Sequence, residues 1–348
     1  MTRLALGLAQ RGHAVVCAFH RPAESLSGPE FDFLREAGVE LVGFDLAGRG
    51  ERARFRRWCK EGGYQIVHAH RDEALVFAWQ ALLGLGQPRI IAGRGTDYRL
   101  KRFSWARTCF RSRKVRRVIA VAQAVKEALV ASGVPRGKIE VVYGGVDENV
   151  FRPGLEGSSW RAKWGVAKEA PLIGNVAALV GKKGHPIFFQ AAALVRRQFP
   201  AARFVCVGEG SAEKFTALLD ELALRDAVVF AGYQQDMPHI LSALDVVVCS
   251  SVKGEGLNGA IREGMSCGRP VVATDVAGNR EIVHDGENGV LVGPGDEKAL
   301  AEAIVDLLRD QAAAQRLGEA ARETICRDFT NAFRCARIED IYQSVARE

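Results

Sequence analysis

The chain of 348 residues lacks the features of membrane-spanning, secreted and disulfide-rich proteins. No window holds the 18 or so uninterrupted apolar residues that a membrane-spanning helix needs. The first residues do not combine a basic segment, an apolar core and a cleavage site, so no secretory leader is predicted. None of the eight cysteines stands in a C-x-x-C pair or at zinc-like spacing, which predicts buried, reduced thiols. These absences favour a cytoplasmic globular protein.

Acidic residues are scarce in the first half of the chain relative to basic ones. Residues 1–150 carry a net charge of +10, whereas residues 151–348 carry −3. Because the excess of positive charge is confined to one half, we expect that half to meet an anionic partner.

Apolar strand-like runs alternate with helical patterns along most of the sequence. This alternation predicts an α/β protein whose parallel sheets are covered by helices on both faces. A Pro- and Gly-containing segment at 147–159 interrupts it, which predicts two doubly wound Rossmann-like domains at 1–150 and 151–330. The run 311–348 is predicted to be helical throughout, with a final piece at 331–348 packing back on the first domain. Strands are predicted at 14–20, 39–45, 64–70, 88–93, 116–122, 138–144, 172–179, 202–210, 227–233, 244–250, 269–275 and 288–294.

The beginning of the sequence departs from the usual doubly wound pattern. Met1 leads directly into an amphipathic helix that ends at Gly12, without the strand and Gly-rich turn that normally precede such a helix. The absence of this strand is expected to leave two neighbouring strands unpaired. We interpret it as a start codon assigned too far downstream; a chain that truly lacks the strand is the alternative.

The segment 250–283, SSVKGEGLNGAIREGMSCGRPVVATDVAGNREIV, contains the strongest chemical signal. A buried strand leads into a loop with three glycines, followed by a helix and another strand. Ligands of open α/β sheets bind where strands end and helices begin, and a helix N-terminus suits an anion such as a diphosphate. Glu255 and Glu263 lie eight residues apart, and each carboxylate can accept hydrogen bonds from adjacent hydroxyls of a sugar. The alternative is two solvated glutamates beside a structural turn.

This stretch resembles the signature of the family-4 retaining glycosyltransferases, which have the two-domain GT-B fold. The family pattern E-G-L-x-x-x-x-x-E-x-M-x-x-G-x-P-V-V-x-T reads EGLNGAIREGMSCGRPVVAT in this chain. The resemblance implies that Glu255 contacts hydroxyls of the donor sugar as a catalytic residue and that Glu263 contacts the ribose. It also implies that the backbone around Gly256, Leu257 and Asn258 binds the donor diphosphate.

A second motif, GNVAALVGKKGHPIFFQAAALV at 174–195, passes from a strand through a glycine-containing loop to a helix. A lysine on this loop can neutralise the charge of a departing phosphate; a solvated lysine pair is the alternative. The family carries a Lys-Gly here, which matches Lys183 and Gly184, so Lys183 is our second catalytic candidate. The arginine that the family places six residues earlier is Ala177 in this chain, and Lys182 is a candidate substitute.

Further matches extend the resemblance along the chain. FVCVGEGS at 204–211 resembles the family's V-G-x-G strand end, which implies that Gly208 and Glu209 face the nucleotide. FAGYQQDM at 230–237 resembles the segment that borders the base, so Tyr233 joins the donor-binding candidates. The interdomain segment VVYGGVDENVFRP at 141–153 also matches.

Two residues of the first domain are candidates for the acceptor side. His70 ends a predicted strand, and we expect it to face the side opposite to His68, so that one of the two belongs to the core. Where the family often has a histidine near the transferred sugar, this chain has Arg94. A guanidinium cannot act as a base, so Arg94 is expected to bind an anionic group, and no catalytic base is assigned.

The segment 99–117 contains nine Lys and Arg, no acidic residue and three aromatic rings. This mixture predicts contact with an anionic membrane surface. A solvated helix face is the alternative, and nucleic acid is not predicted as a partner because no recognised motif accompanies the charge. A second basic run at 49–60 is expected to lie nearby.

The predicted reaction is transfer of a hexose-type sugar from a nucleotide-diphosphate sugar, with retention, to a cell-surface glycan such as lipopolysaccharide core or a lipid-linked saccharide. The resemblance implies two domains that face each other across a cleft. The chain contains no Asp-x-Asp triplet, so transfer without a metal or other cofactor is predicted, at the inner face of the plasma membrane. The alternatives are a GT-B nucleotide-sugar epimerase and a catalytically inactive nucleotide-sugar-binding protein.

Overall fold

A computed structural model describes residues 2–253 and 256–348. Its strands are β1 (Val16–Phe19), β2 (Glu40–Gly43), β3 (Ile66–Ala69), β4 (Arg89–Arg94), β5 (Val115–Ala120), β6 (Ile139–Val141), β7 (Leu172–Val176), β8 (Arg203–Val207), β9 (Val228–Gly232), β10 (Val246–Cys249), β11 (Val271–Thr274) and β12 (Val290–Val292). Its α-helices are α1 (Thr2–Gln10), α2 (Pro29–Glu36), α3 (Glu51–Glu61), α4 (Asp72–Ala81), α5 (Trp105–Arg111), α6 (Gln123–Ala131), α7 (Ser158–Lys163), α8 (His185–Arg196), α9 (Thr216–Glu221), α10 (Met237–Ala243), α11 (Gly259–Ser266), α12 (Glu297–Arg309), α13 (Gln311–Asp328) and α14 (Asn331–Arg347). Every predicted strand is present, within a few residues of its predicted ends.

The chain divides into two compact units. Unit 1 comprises Met1–Gly145 and Asn331–Glu348, and unit 2 comprises Val146–Thr330. The boundary therefore precedes the one placed at residue 150. The physical reason is that the backbone N–H of Val146 donates to the carbonyl of Phe329 at 2.9 Å, which ties the segment after 145 to unit 2.

The C-terminal run is two helices rather than one continuous helix. The helix α13 belongs to unit 2, and α14 belongs to unit 1. They are separated at Phe329 and Thr330, where Thr330 pairs with Val146 in an isolated bridge. The prediction of helix throughout 311–348 missed this break because the bridging partner lies far away in sequence.

Parallel strands form the sheets of unit 1. Among the described residues β1 pairs with β2, and β3–β4–β5–β6 form a second sheet in that order, with no ladder joining β1 to β3. The described strands of unit 1 therefore form two separate parallel sheets, and the loss of a strand between two neighbours stays a prediction.

The helix α14 packs against α1 in unit 1. Leu4 and Leu8 of α1 share an apolar cluster with Ile338 and Val345 of α14. The approach is close because Gly7 has no side chain: a Cβ there would lie 2.4 Å from the Cys335 Sγ.

All eight cysteines are free, and seven of them are buried.

Unit 2 contains one six-stranded parallel sheet in the order β12–β11–β10–β7–β8–β9. The strand order reverses between β7 and β10. Ligands of doubly wound domains bind in the crevice outside the carboxyl ends of the strands at such a reversal.

In the described part of the chain, no helix has both the length and the apolar character required to span a membrane.

Candidate functional site

The loops that follow β7 and β10 are held together by hydrogen bonds at the strand reversal of unit 2. The carbonyl of Lys182 accepts from the backbone N–H of Val252 at 2.9 Å. The hydroxyl of Ser250 donates to the carbonyl of Lys183 at 2.9 Å and accepts from the buried amide of Asn175 at 2.8 Å. The two lysines predicted to meet a diphosphate are therefore fixed to the end of β10 by their own backbone.

Gly184 makes this close approach possible. It caps the N-terminus of α8 with φ +66°, a left-handed conformation that favours glycine. A Cβ at this position would lie 1.9 Å from the Ser250 carbonyl oxygen. The half-buried Lys183 thus stands at the positive end of a 12-residue helix, in a position suited to an anion.

The loop that follows β10 leads to α11 through Asn258. The Asn258 side-chain oxygen accepts from the N–H groups of Ala260 (2.9 Å) and Ile261 (3.4 Å), while its amide donates to the Cys249 Sγ at 3.0 Å. The side chain of Asn258 is buried and has a structural role as N-cap. Two of the N–H groups expected to face a diphosphate are therefore already bonded, so the α11 terminus offers fewer donors than predicted.

The predicted carboxylates are only partly placed by the structure. Glu255, with Gly254, lies outside the described residues. Glu263 is half-buried on the second turn of α11, while Gly256 is buried and Leu257 half-buried in the loop before that helix. The assigned roles of these residues stay predictions.

The strands β8 and β9 place their candidates at the same edge of the sheet. Gly208 has φ +154°, and a Cβ there would lie 2.2 Å from the Ala177 carbonyl oxygen. The carbonyl of the exposed Glu209 accepts from the N–H of Leu179 at 2.7 Å. Tyr233 follows β9 directly and is 65% exposed. The candidates of unit 2 that the structure describes thus lie at or beyond the carboxyl ends of the strands, in the loops that lead to the next helix or in its first turns.

His185 is a residue of this site that the sequence analysis missed. It is fully buried beside the rings of Phe189 and Phe215, and neither ring nitrogen has a hydrogen-bond partner among the residues described. Burial, with smaller contributions from the charges of Lys214 and Lys183, lowers the pKa of His185 to about 4. The imidazole is therefore neutral at neutral pH, and the signal that could have revealed it is its place directly after Lys-Gly at a helix start.

Lys214 is a second cation beside the β7 loop that the sequence did not single out. Its Nζ donates to the carbonyl of Leu179. Ala177 supplies no charge on this loop, whereas Lys182 and Lys183 lie on it and Lys214 contacts it.

His68 on β3 and His70, the residue directly after that strand, point to the same side, which corrects the expectation that they face opposite sides. Their ring centroids lie 4.0 Å apart. The earlier expectation was wrong because side chains alternate with a period of two, so residues two apart point to the same side. The Nδ1 of His68 lies 2.7 Å from the hydroxyl of Tyr342 on α14. Burial lowers the pKa of His70 to about 3, so it is neutral at neutral pH.

Arg94 at the end of β4 is already engaged by the protein. It forms an ion pair with Asp72 at the start of α4 and donates to the carbonyls of Thr96 (3.3 Å) and Tyr98 (3.0 Å). Only 11% of its side chain is exposed. These contacts give Arg94 a structural role in holding the loop after β4, and its contact with an acceptor stays a prediction.

The basic segment 99–117 divides into a bonded part and an exposed part. Arg107 donates to the carbonyl of Ser132 at 2.8 Å, and Arg117 donates to Glu348 at 2.6 Å. By contrast, Phe103 is 93% exposed and Trp105 is 62% exposed. The exposed cations of the segment are Arg99, Lys101, Arg102, Arg111 and Arg113.

Two units of parallel sheets and helices, the second with a strand reversal flanked by glycine-containing loops, have the architecture of the GT-B fold of glycosyltransferases. HepE from Anabaena, whose crystal structure is a complex with UDP-glucose, has the same fold, with a TM-score of 0.84 at 23% identity over 99% of this chain and 94% of that one. The family model Glycosyltransferase Family 4 matches residues 1–150, and the model Glycosyl transferases group 1 matches residues 170–310. The chain belongs to glycosyltransferase family 4, as the sequence motifs predicted.

Curated relatives cover part of the chain. The putative glycosyltransferase EpsD from Bacillus subtilis is 34% identical over 214 residues, which is 60% of this chain and 56% of EpsD. The lipopolysaccharide core biosynthesis glycosyltransferase LpsE from Rhizobium meliloti is 33% identical over 171 residues, or 49% of each chain. The chain thus spans about half the length of these curated relatives.

Proposed function

We propose that the protein is a retaining glycosyltransferase that moves a hexose-type sugar from a nucleotide-diphosphate sugar to a cell-surface glycan acceptor. The observation that supports this most directly is the pair of loops at the strand reversal, where Ser250 ties Lys183 to the loop leading to Glu263. A UDP-sugar is the first donor to consider, since HepE was crystallised with UDP-glucose. Lipopolysaccharide core is an acceptor to test, since LpsE carries that description.

In the proposed reaction the bond between the anomeric carbon and the donor phosphate oxygen breaks. The acceptor oxygen forms its new bond on the same face of the sugar, and its proton passes to the departing diphosphate. Lys183 and the N-terminus of α8 offset the charge that develops on that diphosphate, so no metal is required. Glu255 is proposed to hold donor-sugar hydroxyls, and Glu263 the ribose.

Calorimetry with a panel of nucleotide sugars, in the absence of metal, tests the donor site. We expect one donor to bind the wild-type chain and to bind Glu263→Ala at least about tenfold more weakly, the loss typical of a hydrogen bond to a charged group. Glu302→Ala, an exposed glutamate on α12, is the matched control and should bind as the wild type does. Equal affinity of the wild type and Glu263→Ala, or no donor bound by a folded wild-type chain, would contradict the proposal.

The product formed from the bound donor separates the alternatives. Transfer to an acceptor supports the proposed activity, whereas an epimerised nucleotide sugar identifies an epimerase. Donor binding without any turnover identifies a binding protein.

The proposal includes binding of the segment 99–117 to an anionic membrane surface. Phe103 and Trp105, which are 93% and 62% exposed, stand among the exposed cations of the segment 99–117, a composition that suits anionic lipid headgroups. Sedimentation with phosphatidylglycerol vesicles measures this: the wild type should pellet and Phe103→Ala/Trp105→Ala should stay in the supernatant. Equal sedimentation of both chains would remove the membrane from the proposal.

A further inference from the structure

The thiol of Cys249, the last residue of β10, is bonded to polar side chains from two loops of unit 2. It accepts a hydrogen bond from the amide of Asn258 at 3.0 Å and another from the amide of Asn279 at 3.5 Å, and it donates to the hydroxyl of Ser251 at 3.6 Å. All four residues are buried. A buried free cysteine ordinarily packs as a small apolar residue, so contact with three polar side chains indicates a further role at this position.

The bond to Asn258 closes the loop that follows β10. Nine positions separate the two residues in sequence, and the same asparagine caps α11 through its side-chain oxygen. Because the oxygen accepts from the helix and the nitrogen donates to sulfur, the thiol fixes the direction in which the amide points. Without an acceptor at position 249, this amide nitrogen would lose its partner while buried, which is unfavourable enough to displace the loop.

The bond to Asn279 joins the same thiol to the short helical turn after β11. Asn279 also donates to the Thr274 carbonyl at 2.9 Å, and the hydroxyl of Thr274 donates to the Cys249 carbonyl at 3.2 Å. Gly278 in this turn abuts the Gly256 carbonyl oxygen. The thiol is thus bonded both to the cap at the end of the loop and to the turn that contacts the loop backbone.

Sulfur suits these contacts better than oxygen does. Hydrogen bonds from an amide to an oxygen are usually about 2.7–3.2 Å long, whereas the Asn279 amide lies 3.5 Å from the sulfur. A serine at this position would hold its oxygen closer to its own Cβ, because a C–O bond is shorter than a C–S bond. A serine would therefore form weaker bonds to the two amides, and a valine would form none.

We propose that Cys249 is a positioning residue for the donor diphosphate, an inference that rests on the proposed transferase function. Its thiol holds the Asn258 cap and the turn at Gly278 in the arrangement that presents the backbone of Gly256 and Leu257 to the diphosphate. The thiol acts through these neighbours and not by contact with the donor.

Calorimetry on the full chain with UDP, ADP, GDP and dTDP tests this role. The nucleoside of the diphosphate that binds best is measured by displacement, and the ratio of the two affinities isolates the contribution of the diphosphate. Cys249→Val keeps an apolar side chain in β10 and removes the hydrogen-bond acceptor, so the ratio should fall at least about fivefold, the effect of leaving a buried donor unpaired. The ratio should fall less in Cys249→Ser, which keeps a weaker acceptor.

Cys206→Val is the matched control and should leave the ratio unchanged. Its thiol is buried on β8 in the apolar core of the same unit. Circular dichroism verifies that each variant is folded. If Cys249→Val does not fold, the serine variant decides, with a fall in the ratio of at least about twofold expected.

The ratio separates positioning from a general loosening of unit 2, which would weaken diphosphate and nucleoside alike. An unchanged or higher ratio in Cys249→Val, or a serine variant with no advantage over valine, would overturn the positioning role while the donor site still stands. A folded wild-type chain that binds none of the four diphosphates would instead contradict the proposed transferase function, and this inference would fall with it.

Discussion

Gly184→Ala is expected to lower the free energy of unfolding of unit 2 strongly and to remove donor binding. Gly165→Ala is expected to lower that free energy far less. Both glycines have a left-handed backbone, with φ +66° and +63°. An alanine in that conformation costs about 1–2 kcal/mol by itself. The two positions differ in the room available for a side chain. An added Cβ meets nothing within 4 Å at Gly165, whereas at Gly184 it lies 1.9 Å from the Ser250 carbonyl oxygen.

The atom in the way at Gly184 is backbone and cannot rotate aside. Ser250 is held in turn by the Asn175 amide and by its own bond to the Lys183 carbonyl. The first turn of α8 must therefore separate from β10, and Lys183 moves with it. We expect Gly184→Ala to lower the free energy of unfolding by at least about 2 kcal/mol more than Gly165→Ala, within the range of large single-substitution effects.

Denaturant unfolding followed by tryptophan fluorescence measures this difference. Trp160 and Trp164 report on unit 2, while the other tryptophans lie in unit 1, so two transitions are to be fitted if the units unfold separately. Calorimetry with the donor then shows whether the folded fraction of Gly184→Ala still binds. Equal unfolding costs for the two substitutions would mean that α8 and β10 are not packed as described.

The sequence allowed the strands and the parallel sheets to be predicted but not the contacts between distant segments. Alternating apolar runs and helices are local patterns, so all twelve strands could be placed before the structure. The bond from Ser250 to Lys183 joins residues 67 positions apart, and the bridge of Val146 to Thr330 has no local signature at all. These contacts decide where the units divide and how the donor loops are held.

Single side chains at the candidate site show the same limit. The motif predicted that the backbone around Asn258 meets a diphosphate, yet its buried side chain caps α11 and bonds to Cys249. The position of Arg94 in the motif predicts that it binds an anionic group. Its ion pair with Asp72 depends on the packing of β4 beside α4, which the sequence does not show. His185 stayed unnoticed because its burial depends on the Phe215 ring, which comes from a later part of the chain.

Gly278→Ala is expected to weaken donor binding with a smaller effect on stability. Gly278 lies in a short helical turn after β11, and a Cβ there would lie 1.5 Å from the Gly256 carbonyl oxygen. The turn itself is anchored, because the buried Asn279 donates to the Thr274 carbonyl at 2.9 Å. The segment at Gly256 and Leu257 must therefore move, and this is the backbone proposed to bind the diphosphate.

We expect donor affinity to fall at least about 30-fold in Gly278→Ala, equivalent to about 2 kcal/mol. Gly293→Ala is the matched control, since it too has an ordinary backbone conformation and its Cβ would make only a 3.8 Å contact with Asp296. Calorimetry on both variants measures the difference, and circular dichroism verifies that each is folded. If Gly278→Ala binds the donor as tightly as Gly293→Ala does, the loop before α11 does not hold the diphosphate, and the lysines at α8 are left as its principal contacts.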